Sequence, residues 1–424
     1  MLDIKLIRDH EDTVRQGLAS RGASMEFLDA VVADDALRRK LVTEVETLKS
    51  QRNTVSKEIG LLKSKGQDTA ATQKAMRDLG DLIARKDGEV RDLEVRLKDN
   101  LLRIPNLPHS SLPVGTDASA NVEVRAYGKP RQFTFQPRGH VEVGEHLGIF
   151  DFARGAKITG SGFPLLLGMG SRLQRALIQF MLDMHTTRHG YTEMLPPFVV
   201  NTASMIGTGQ LPKMAEDMYH ATDDLWLIPT AEVPVTNYYR DDVIDKPLPV
   251  YLTAYTPCFR REAGAAGKET RGIIRVHQFD KVEMVKFVEP STSYAELELL
   301  VANAEAVLQA LKLPYRVLSL CTGDISFAAA KCYDIELWAP GQNGWLEVSS
   351  CSNFEAFQAR RANIRYRRAD GKLDFVHTLN GSGVALARLV VAILENGQEA
   401  DGSVTLPDAI VPYMGGVRKI ERAG

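Results

Sequence analysis

Arginine, aromatic and carboxylate residues recur along one stretch of the chain in an order that suits the binding of a nucleotide beside an amine. The sequence FRRE at 259–262 precedes a loop rich in glycine and alanine, and residues 275–283 follow that loop. Two strands joined by such a loop form a hairpin, in which alternate side chains share one face. Because Arg275, Phe279 and Glu283 are spaced four residues apart, a regular strand would place all three on the same face.

These three residue types match the chemical parts of such a ligand pair. A guanidinium fork binds phosphate with two parallel hydrogen bonds, and an aromatic ring stacks on a base. A carboxylate accepts hydrogen bonds from an amine. The same residues would equally fit a hairpin whose charges pair with one another on a solvated surface, so the residues alone leave both interpretations open.

The composition is that of an ordinary soluble protein and argues against several classes of function. The chain has 424 residues, 44% of them hydrophobic and 25% charged, and this length favours two domains. The formal net charge is −2, which gives no support to a nucleic-acid partner. The nine histidines and four cysteines show no spacing typical of a metal site, and we expect no zinc. We see no secretory signal and no apolar run long enough to cross a bilayer, which favours the cytoplasm and no membrane partner.

The first hundred residues are predicted to form two long helices that pack against each other. Apolar residues and one arginine recur there at alternating steps of four and three: Leu41, Val45, Leu48, Arg52, Val55, Ile59 and Leu62. A second series of the same kind runs from Met76 to Leu97, and residues 66–68 break the helix between the two. We therefore expect an antiparallel coiled-coil hairpin about 45 Å long. Its outer faces carry mixed charges, which fits a solvated surface as well as an oligomerisation device.

From about residue 110 onward the pattern changes to mixed helix and strand. An amphipathic helix is predicted over 171–187, and strand-like stretches lie at 225–228, 273–276 and 281–288. Short strands with few regularly alternating helices favour an antiparallel sheet over a doubly wound fold. The predicted fold class is thus α+β, with a helical hairpin domain over 1–110 and a sheet-based domain over 111–424.

Several sequence blocks of the second domain resemble those of the seryl-tRNA synthetases, a family of class II aminoacyl-tRNA synthetases. The blocks are GTGQLP at 207–212, IPTAEVP at 228–234, TPCFR at 256–260, TRG at 270–272 leading to RVHQF at 275–279, GWLEVSSCSN at 344–353, FQARR at 357–361, and HTLNGSG at 377–383 before Arg388. They occur in the family's order, and the coiled-coil hairpin lies where that family carries its tRNA-binding arm. The resemblance therefore covers essentially the entire chain.

This resemblance implies an enzyme that activates L-serine with ATP to seryl-adenylate and pyrophosphate, and then transfers serine to the 3′ end of tRNA(Ser). It also implies tRNA(Sec) as a further acceptor, Mg²⁺ as the companion of ATP, and a homodimer whose interface includes residues 173–197. The catalytic domain is expected to be an antiparallel sheet flanked by helices. The alternatives are a catalytically silent RNA-binding relative, an amino acid–carrier-protein ligase and an antibiotic-resistant paralogue; the long N-terminal arm argues against the second.

The resemblance also implies a role for each residue that matches a family motif. The expected catalytic residues are Arg260, Glu262 and Arg388. The residues expected to bind serine are Thr230, Ala231, Glu232, Arg260, Glu283 and Ser382. Those expected to bind ATP are Arg260, Arg261, Glu262, Arg275, Val276, Phe279, Glu347, Val348, Ser349, Ser350 and Arg388. Magnesium, bound through ATP, is expected at Glu347 and Ser350.

Overall fold

The computed structural model describes residues 1–263 and 272–422, which divide into two compact units. The smaller unit contains Leu2–Ala19 and Ala23–Pro105, and the larger unit contains Met1, Ser20–Gly22 and the chain from Asn106 onward. The loop rich in glycine and alanine and the first two residues of the TRG block, at 264–271, lie outside the described residues.

Helices build the smaller unit and cover the sheet of the larger one. Those before Pro105 are α1 (Ile4–Asp9), α2 (Glu11–Ser20), α3 (Glu26–Ser64) and α4 (Ala70–Leu101). Those after it are α5 (His140–His146), α6 (Phe152–Thr159), α7 (Gly168–Arg188), α8 (Thr202–Thr208), α9 (Glu232–Thr236), α10 (Ser293–Ala310), α11 (Phe357–Ala362) and α12 (Leu386–Gly397). Over 1–263 and 272–422, none of the helices has both the length and the apolar character needed to span a bilayer.

Helices α3 and α4 form the antiparallel coiled-coil hairpin that the heptad pattern predicts. Its buried seam consists of Leu41, Val45, Ile59, Ile83, Leu93 and Leu97. Ion pairs cross between the helices, with Lys86 Nζ 2.9 Å from Glu44 and Lys49 Nζ 3.0 Å from Asp87. Helix α3 is 39 residues long, so it starts well before the predicted seam. Arg52, the polar member of that seam, is exposed.

The larger unit is built on a sheet whose described part has eight strands, in the order β1-β8-β9-β10-β13-β7-β6-β2. All neighbouring pairs are antiparallel except β2 and β6. The strands among the described residues are β1 (Val122–Tyr127), β2 (Thr192–Glu193), β3 (Val199–Asn201), β4 (Leu225–Leu227), β5 (Val243–Ile244), β6 (Val250–Phe259), β7 (Gln278–Val288), β8 (Tyr315–Ser319), β9 (Lys331–Ala339), β10 (Gly344–Asn353), β11 (Arg365–Arg367), β12 (Leu373–Phe375), β13 (His377–Ala385), β14 (Val404–Thr405) and β15 (Lys419–Ile420). The predicted α+β class with an antiparallel sheet is confirmed.

Helices α7, α10 and α12 pack against this sheet and complete the main hydrophobic core. Their fully buried side chains include Leu173, Leu177, Met181, Leu300, Leu389 and Ile393. The amphipathic helix predicted over 171–187 is confirmed as α7. Close packing of this kind holds the central strands β7, β10 and β13 in place, and these strands carry several of the predicted site residues, among them Phe279, Glu283 and Glu347.

The strand predicted over 273–276 is wrong, because side chains hold this segment instead of a neighbouring strand. The backbone N–H of Ile273 donates to Nε2 of His140 at 3.3 Å. The carbonyl of Ile274 accepts from Nε of Arg388, also at 3.3 Å. Strand β7 begins only at Gln278 and pairs with β6, so the predicted hairpin is present with a later start to its second strand.

Candidate active site

A cavity of about 640 Å³ lies in the larger unit, where β6, β7, β10 and β13 meet the start of α12. Its volume is within the range of roughly 300–1,000 Å³ that is typical of small-molecule sites. Most of the predicted site residues line it: Thr230, Glu232, Arg260, Glu262, Arg275, Val276, Phe279, Glu283, Glu347, Val348, Ser350, Ser382 and Arg388. The fold therefore brings into one cavity residues that are far apart in the chain.

Three of the predicted site residues do not line this cavity. Ala231 is fully buried at the start of α9. Arg261 is exposed, and its backbone N–H donates to Asp217 O at 2.8 Å. Ser349 is buried and donates its hydroxyl to Ser382 O at 2.7 Å. Ser349 therefore supports the backbone of a cavity residue and does not face the cavity itself.

A β-bulge explains which residues of β10 reach the cavity. In a regular strand, Glu347 and Ser349 would share one face, and Val348 and Ser350 the other. The pairing of β10 with β9 shifts register between Glu347 and Ser349. As a result Glu347 lines the cavity together with Val348 and Ser350. Bulges re-aim side chains in this way beside many functional sites.

One end of the cavity, hereafter the arginine end, is formed by Arg260, Glu262, Arg275, Phe279, Glu347 and Arg388. The Arg260 guanidinium lies 5.1 Å from the centre of the Phe279 ring, and its Nε donates to Pro229 O at 3.3 Å. Arg275 forms an ion pair with Glu262, whose φ of +52° is unusual for a residue with a side chain. Backbone strain of this kind clusters at functional sites.

Arg388 adds a third cation from the first turn of α12. Its Nη1 donates to Glu347 O at 2.6 Å, while its Nε holds Ile274 O. Ala385 and Ala387 also line the cavity, so the N-terminus of α12 forms part of the wall. Unpaired N–H groups and the helix dipole favour anions at such a terminus. The arginine end is therefore suited to a polyphosphate beside an aromatic ring that can stack on a base.

The other end, hereafter the carboxylate end, is formed by Thr230, Glu232, Lys281, Glu283 and Ser382. Glu283 is only 1% exposed, accepts from Thr230 Oγ1 at 3.0 Å and forms an ion pair with Lys281. Lys281 Nζ also donates to Thr230 Oγ1 at 2.8 Å. Lys281 is not among the residues predicted from the sequence. Its place two residues before Glu283 was the available signal, because residues at that spacing share a strand face.

Glu232 is a second buried carboxylate at this end. It accepts from Nε2 of Gln358 at 2.5 Å, and the same nitrogen donates to Thr208 O at 3.1 Å. Burial raises the pKa of Glu232 to about 7, and the charge of Glu283 adds to this effect. A small ammonium group beside these two carboxylates would favour their ionised forms and offset their charge. Gln358 belongs to the FQARR block, yet the sequence did not reveal its contact with Glu232.

The two residues expected to bind magnesium, Glu347 and Ser350, both lie on β10. Asp334 pairs with Ser350 across β9 and β10. Burial raises the pKa of Asp334 to about 8, and the charge of Glu347 contributes. No group of three or more His, Cys, Asp or Glu residues over 1–263 and 272–422 could hold a metal ion. Glu347 and Ser350 thus fit Mg²⁺ that arrives on a nucleotide, because this ion keeps phosphate and water ligands and needs only one or two from protein.

The antiparallel sheet and the arginine-lined cavity upon it together define a class II aminoacyl-tRNA synthetase. Residues 216–397 match the family model of the tRNA synthetase class II core domain (G, H, P, S and T), and residues 1–108 match that of the seryl-tRNA synthetase N-terminal domain. The chain belongs to the seryl-tRNA synthetase family and is an aminoacyl-tRNA ligase. The resemblance predicted from the sequence blocks is confirmed.

Relatives match over nearly the whole chain. The serine–tRNA ligase of Carboxydothermus hydrogenoformans is 57% identical over 418 residues, which cover 98% of each chain. That of Methanosarcina barkeri is 55% identical and covers 99% of each. Among solved structures, the seryl-tRNA synthetase from Pyrococcus horikoshii complexed with ATP is 39% identical, with a TM-score of 0.95 and 100% of both chains covered. The cytoplasmic serine–tRNA ligase from Naegleria fowleri in complex with AMP is 29% identical, with a TM-score of 0.90, and the match covers 100% of this chain and 99% of that one.

Proposed function

We propose that the protein activates L-serine with ATP to seryl-adenylate and pyrophosphate, and then transfers serine to the 3′ end of tRNA(Ser). The observation that carries this proposal is the pairing, in one cavity, of an arginine end with a carboxylate end. The first suits ATP and the second suits the ammonium group of a small amino acid. The relatives solved with ATP and with AMP support nucleotide binding in this cavity.

In the first step, a carboxylate oxygen of serine attacks the α-phosphorus of ATP. A new acyl–phosphate bond forms, and the bond to pyrophosphate breaks. Arg260, held between Pro229 O and the Phe279 ring, offsets the charge that develops on the α-phosphate. Arg275 and Arg388 hold the outer phosphates, and Phe279 stacks on adenine. Magnesium would meet Glu347 and Ser350 and would neutralise phosphate charge.

Serine is recognised at the carboxylate end. Its ammonium group is bound by Glu283, with Glu232 and Thr230 alongside, and its hydroxyl lies next to Ser382. A site whose buried polar groups pair with a hydroxyl strongly rejects alanine, because those groups would otherwise lose their partner. Threonine carries an additional methyl group, which a closely packed pocket excludes by size.

The remaining parts of the proposal concern the whole protein. Residues 1–110 bind the tRNA through the α3–α4 hairpin, and residues 111–424 carry catalysis. The family resemblance supports a homodimer formed through the segment 173–197, tRNA(Sec) as a second acceptor, and reaction in the cytoplasm. Light scattering would test the dimer, and charging of a tRNA(Sec) transcript would test the second acceptor.

The most direct test of the function is ATP–pyrophosphate exchange with each of the twenty amino acids in turn. We expect exchange that depends on serine, with little above background for alanine or threonine. Charging of a tRNA(Ser) transcript by the same preparation tests the transfer step. Exchange that is absent, or that depends on a different amino acid, would overturn the proposal.

The raised pKa of Glu232 predicts that serine binding depends on pH. The groups around Glu232 are Glu283, Gln358, Lys281 and Arg260. An arriving ammonium group favours the ionised carboxylate, so serine binding should release the proton that Glu232 holds below about pH 7. The KM for serine should therefore fall as pH rises toward 7, by up to about tenfold per unit, and then level off.

Exchange kinetics from about pH 6 to 8 in the wild type and in Glu232→Gln would check this. The variant cannot ionise, so its KM for serine should be flat over that range. An equal slope in both proteins would assign the titration to another group.

The same raised pKa also predicts that the fold loses stability as pH rises through about 7, because the native state holds the proton more tightly than the unfolded chain.

A further inference from the structure

The loop that joins β8 to β9 forms a wall of the cavity and is held by a distant part of the chain. Ser326, Phe327 and Ala328 of this loop line the cavity. Phe327 and Ala328 are buried, whereas Ser326 is exposed. Loops depend on side chains or other segments to satisfy their backbone groups. The hydrogen-bond partners of this loop therefore determine the position of this part of the cavity wall.

Arg21, in the turn between α2 and α3, holds the two ends of the loop. Its guanidinium donates to Ile325 O at 3.1 Å and to Ser326 O at 2.7 Å. It also donates to Ala329 O at 3.2 Å. Burial lowers the pKa of Arg21 to about 10, so the group keeps its charge at neutral pH. A planar guanidinium with five donors can hold several carbonyls at once, which an ammonium group does less well.

Asn106 and His109 hold the middle and the far end of the same loop. The backbone N–H of Asn106 donates to Phe327 O at 3.0 Å, and its Nδ2 donates to Ala328 O at 3.0 Å. The backbone N–H of His109 donates to Ala330 O at 2.8 Å. All six consecutive carbonyls from 325 to 330 thus accept a hydrogen bond from Arg21, Asn106 or His109.

The segments that contain Arg21 and Asn106 are also hydrogen-bonded to each other, since Arg21 Nη1 donates to Asn106 O at 2.5 Å. Arg21 belongs to the same compact unit as the cavity, although the sequence match to the N-terminal family domain includes it. Its removal would take away the guanidinium hydrogen bonds of three loop carbonyls and of Asn106 O, and Ser326 O would keep only the backbone N–H of Ala329. The effect of Arg21 on the wall is therefore larger than that of any one of its hydrogen bonds.

The wall is linked to the carboxylate end of the cavity through the C-terminal end of α8. A Cβ placed on Gly209, the residue that follows α8, would lie 3.5 Å from the Cβ of Ala328. The 325–330 loop and the end of α8 are therefore in contact. The next residue back, Thr208, shares the donor Nε2 of Gln358 with Glu232. A shift of the wall would thus displace residues of the carboxylate end, where the amino acid binds, more than residues of the arginine end.

We propose that Arg21 is a positioning residue for serine, which fixes the 325–330 loop and thereby the shape of the carboxylate end. The proposal rests on the proposed function, because it names serine as the ligand of that end. A residue that served stability alone would reduce the fraction of folded enzyme and leave KM unchanged. A residue that shapes the pocket changes the KM and the selectivity of enzyme that is folded.

The test measures exchange kinetics for Arg21→Ala and Arg21→Lys. We expect the KM for serine to rise by about tenfold or more in Arg21→Ala, and by less in Arg21→Lys. The KM for ATP should stay within about twofold, since the hydrogen bonds to these loop carbonyls come from Arg21, Asn106 and His109 and not from residues of the arginine end. The ratio of kcat/KM for serine over threonine should fall. Guanidinium ion at low, non-denaturing concentration should restore part of the serine affinity to Arg21→Ala but not to the wild type.

Arg125→Ala is the matched control, because Arg125 also holds a partner through several hydrogen bonds, on Glu305, away from the cavity. It should lower thermal stability without a change in either KM. If Arg21→Ala fails to fold, Asn106→Asp provides the second variant, since it keeps the acceptor oxygen and loses the donor to Ala328 O and to Phe354 O, both carbonyls of residues that line the cavity. An unchanged KM for serine in folded Arg21 and Asn106 variants would overturn the proposal. Loss of serine-dependent exchange in the wild type would instead overturn the proposed function.

Discussion

Replacing Glu283 with alanine is expected to lower serine-dependent pyrophosphate exchange by about a thousandfold, close to background. Glu283 is the most buried carboxylate of the cavity and accepts from Thr230 while it pairs with Lys281. Without it, an incoming ammonium group would meet Lys281 with no intervening negative charge. The loss comes both from the missing partner of serine and from the repulsion that remains, so ATP binding should change little.

A folding defect must be separated from this effect, because Lys281 would be left unpaired in a buried place. Glu283→Gln keeps the size of the side chain and can still accept from Thr230, so it should fold and yet remain severely impaired. Glu305→Gln is the matched control, since Glu305 is a buried carboxylate with an arginine partner outside the cavity. Thermal unfolding and the KM for ATP should be recorded for each. Near-normal exchange by folded Glu283→Ala would refute the assignment.

Shortening the α3–α4 hairpin should separate the two reactions of the enzyme. We would remove residues 45–85 and join Glu44 to Lys86 through a short turn, because these two side chains already meet at 2.9 Å across the hairpin. The seam residues Leu41, Leu93 and Leu97 remain, so the base of the hairpin should fold. Serine-dependent exchange should stay within about twofold of the wild type, while charging of tRNA(Ser) should fall by about a hundredfold or more.

The physical reason is the distribution of charge along the hairpin. Residues 45–85 contain eight Lys and Arg and five Asp and Glu, a net charge of +3, in a chain whose total is −2. Basic side chains on an elongated support suit recognition of an RNA by its shape and backbone. A truncated enzyme that still charged tRNA(Ser) efficiently would show that the distal hairpin is not the recognition element. A parallel loss of exchange would show that the deletion had damaged the catalytic unit.

The sequence by itself determined the features that rest on local periodicity. The heptad spacing predicted the α3–α4 hairpin, because apolar residues three or four positions apart lie on the same face of one helix. The spacing of Phe279 and Glu283 placed both on one face of β7, since a strand alternates with a period of two. Most of the site residues that the sequence blocks named, from Thr230 to Arg388, do line the cavity.

Only the tertiary structure decided which of these side chains meet, and which neighbours support them. The bulge in β10 turns Glu347 toward the cavity while Ser349 faces away, and no spacing in the sequence reveals a bulge. Lys281 gains its role from Thr230, and the 325–330 loop depends on Arg21, about three hundred residues earlier in the chain. The periodicity of a sequence shows which face of its own helix or strand a residue occupies, and it is limited to neighbours that are close in the chain. Contacts over such separations follow from the packing of the whole sheet and its helices, which no local pattern contains.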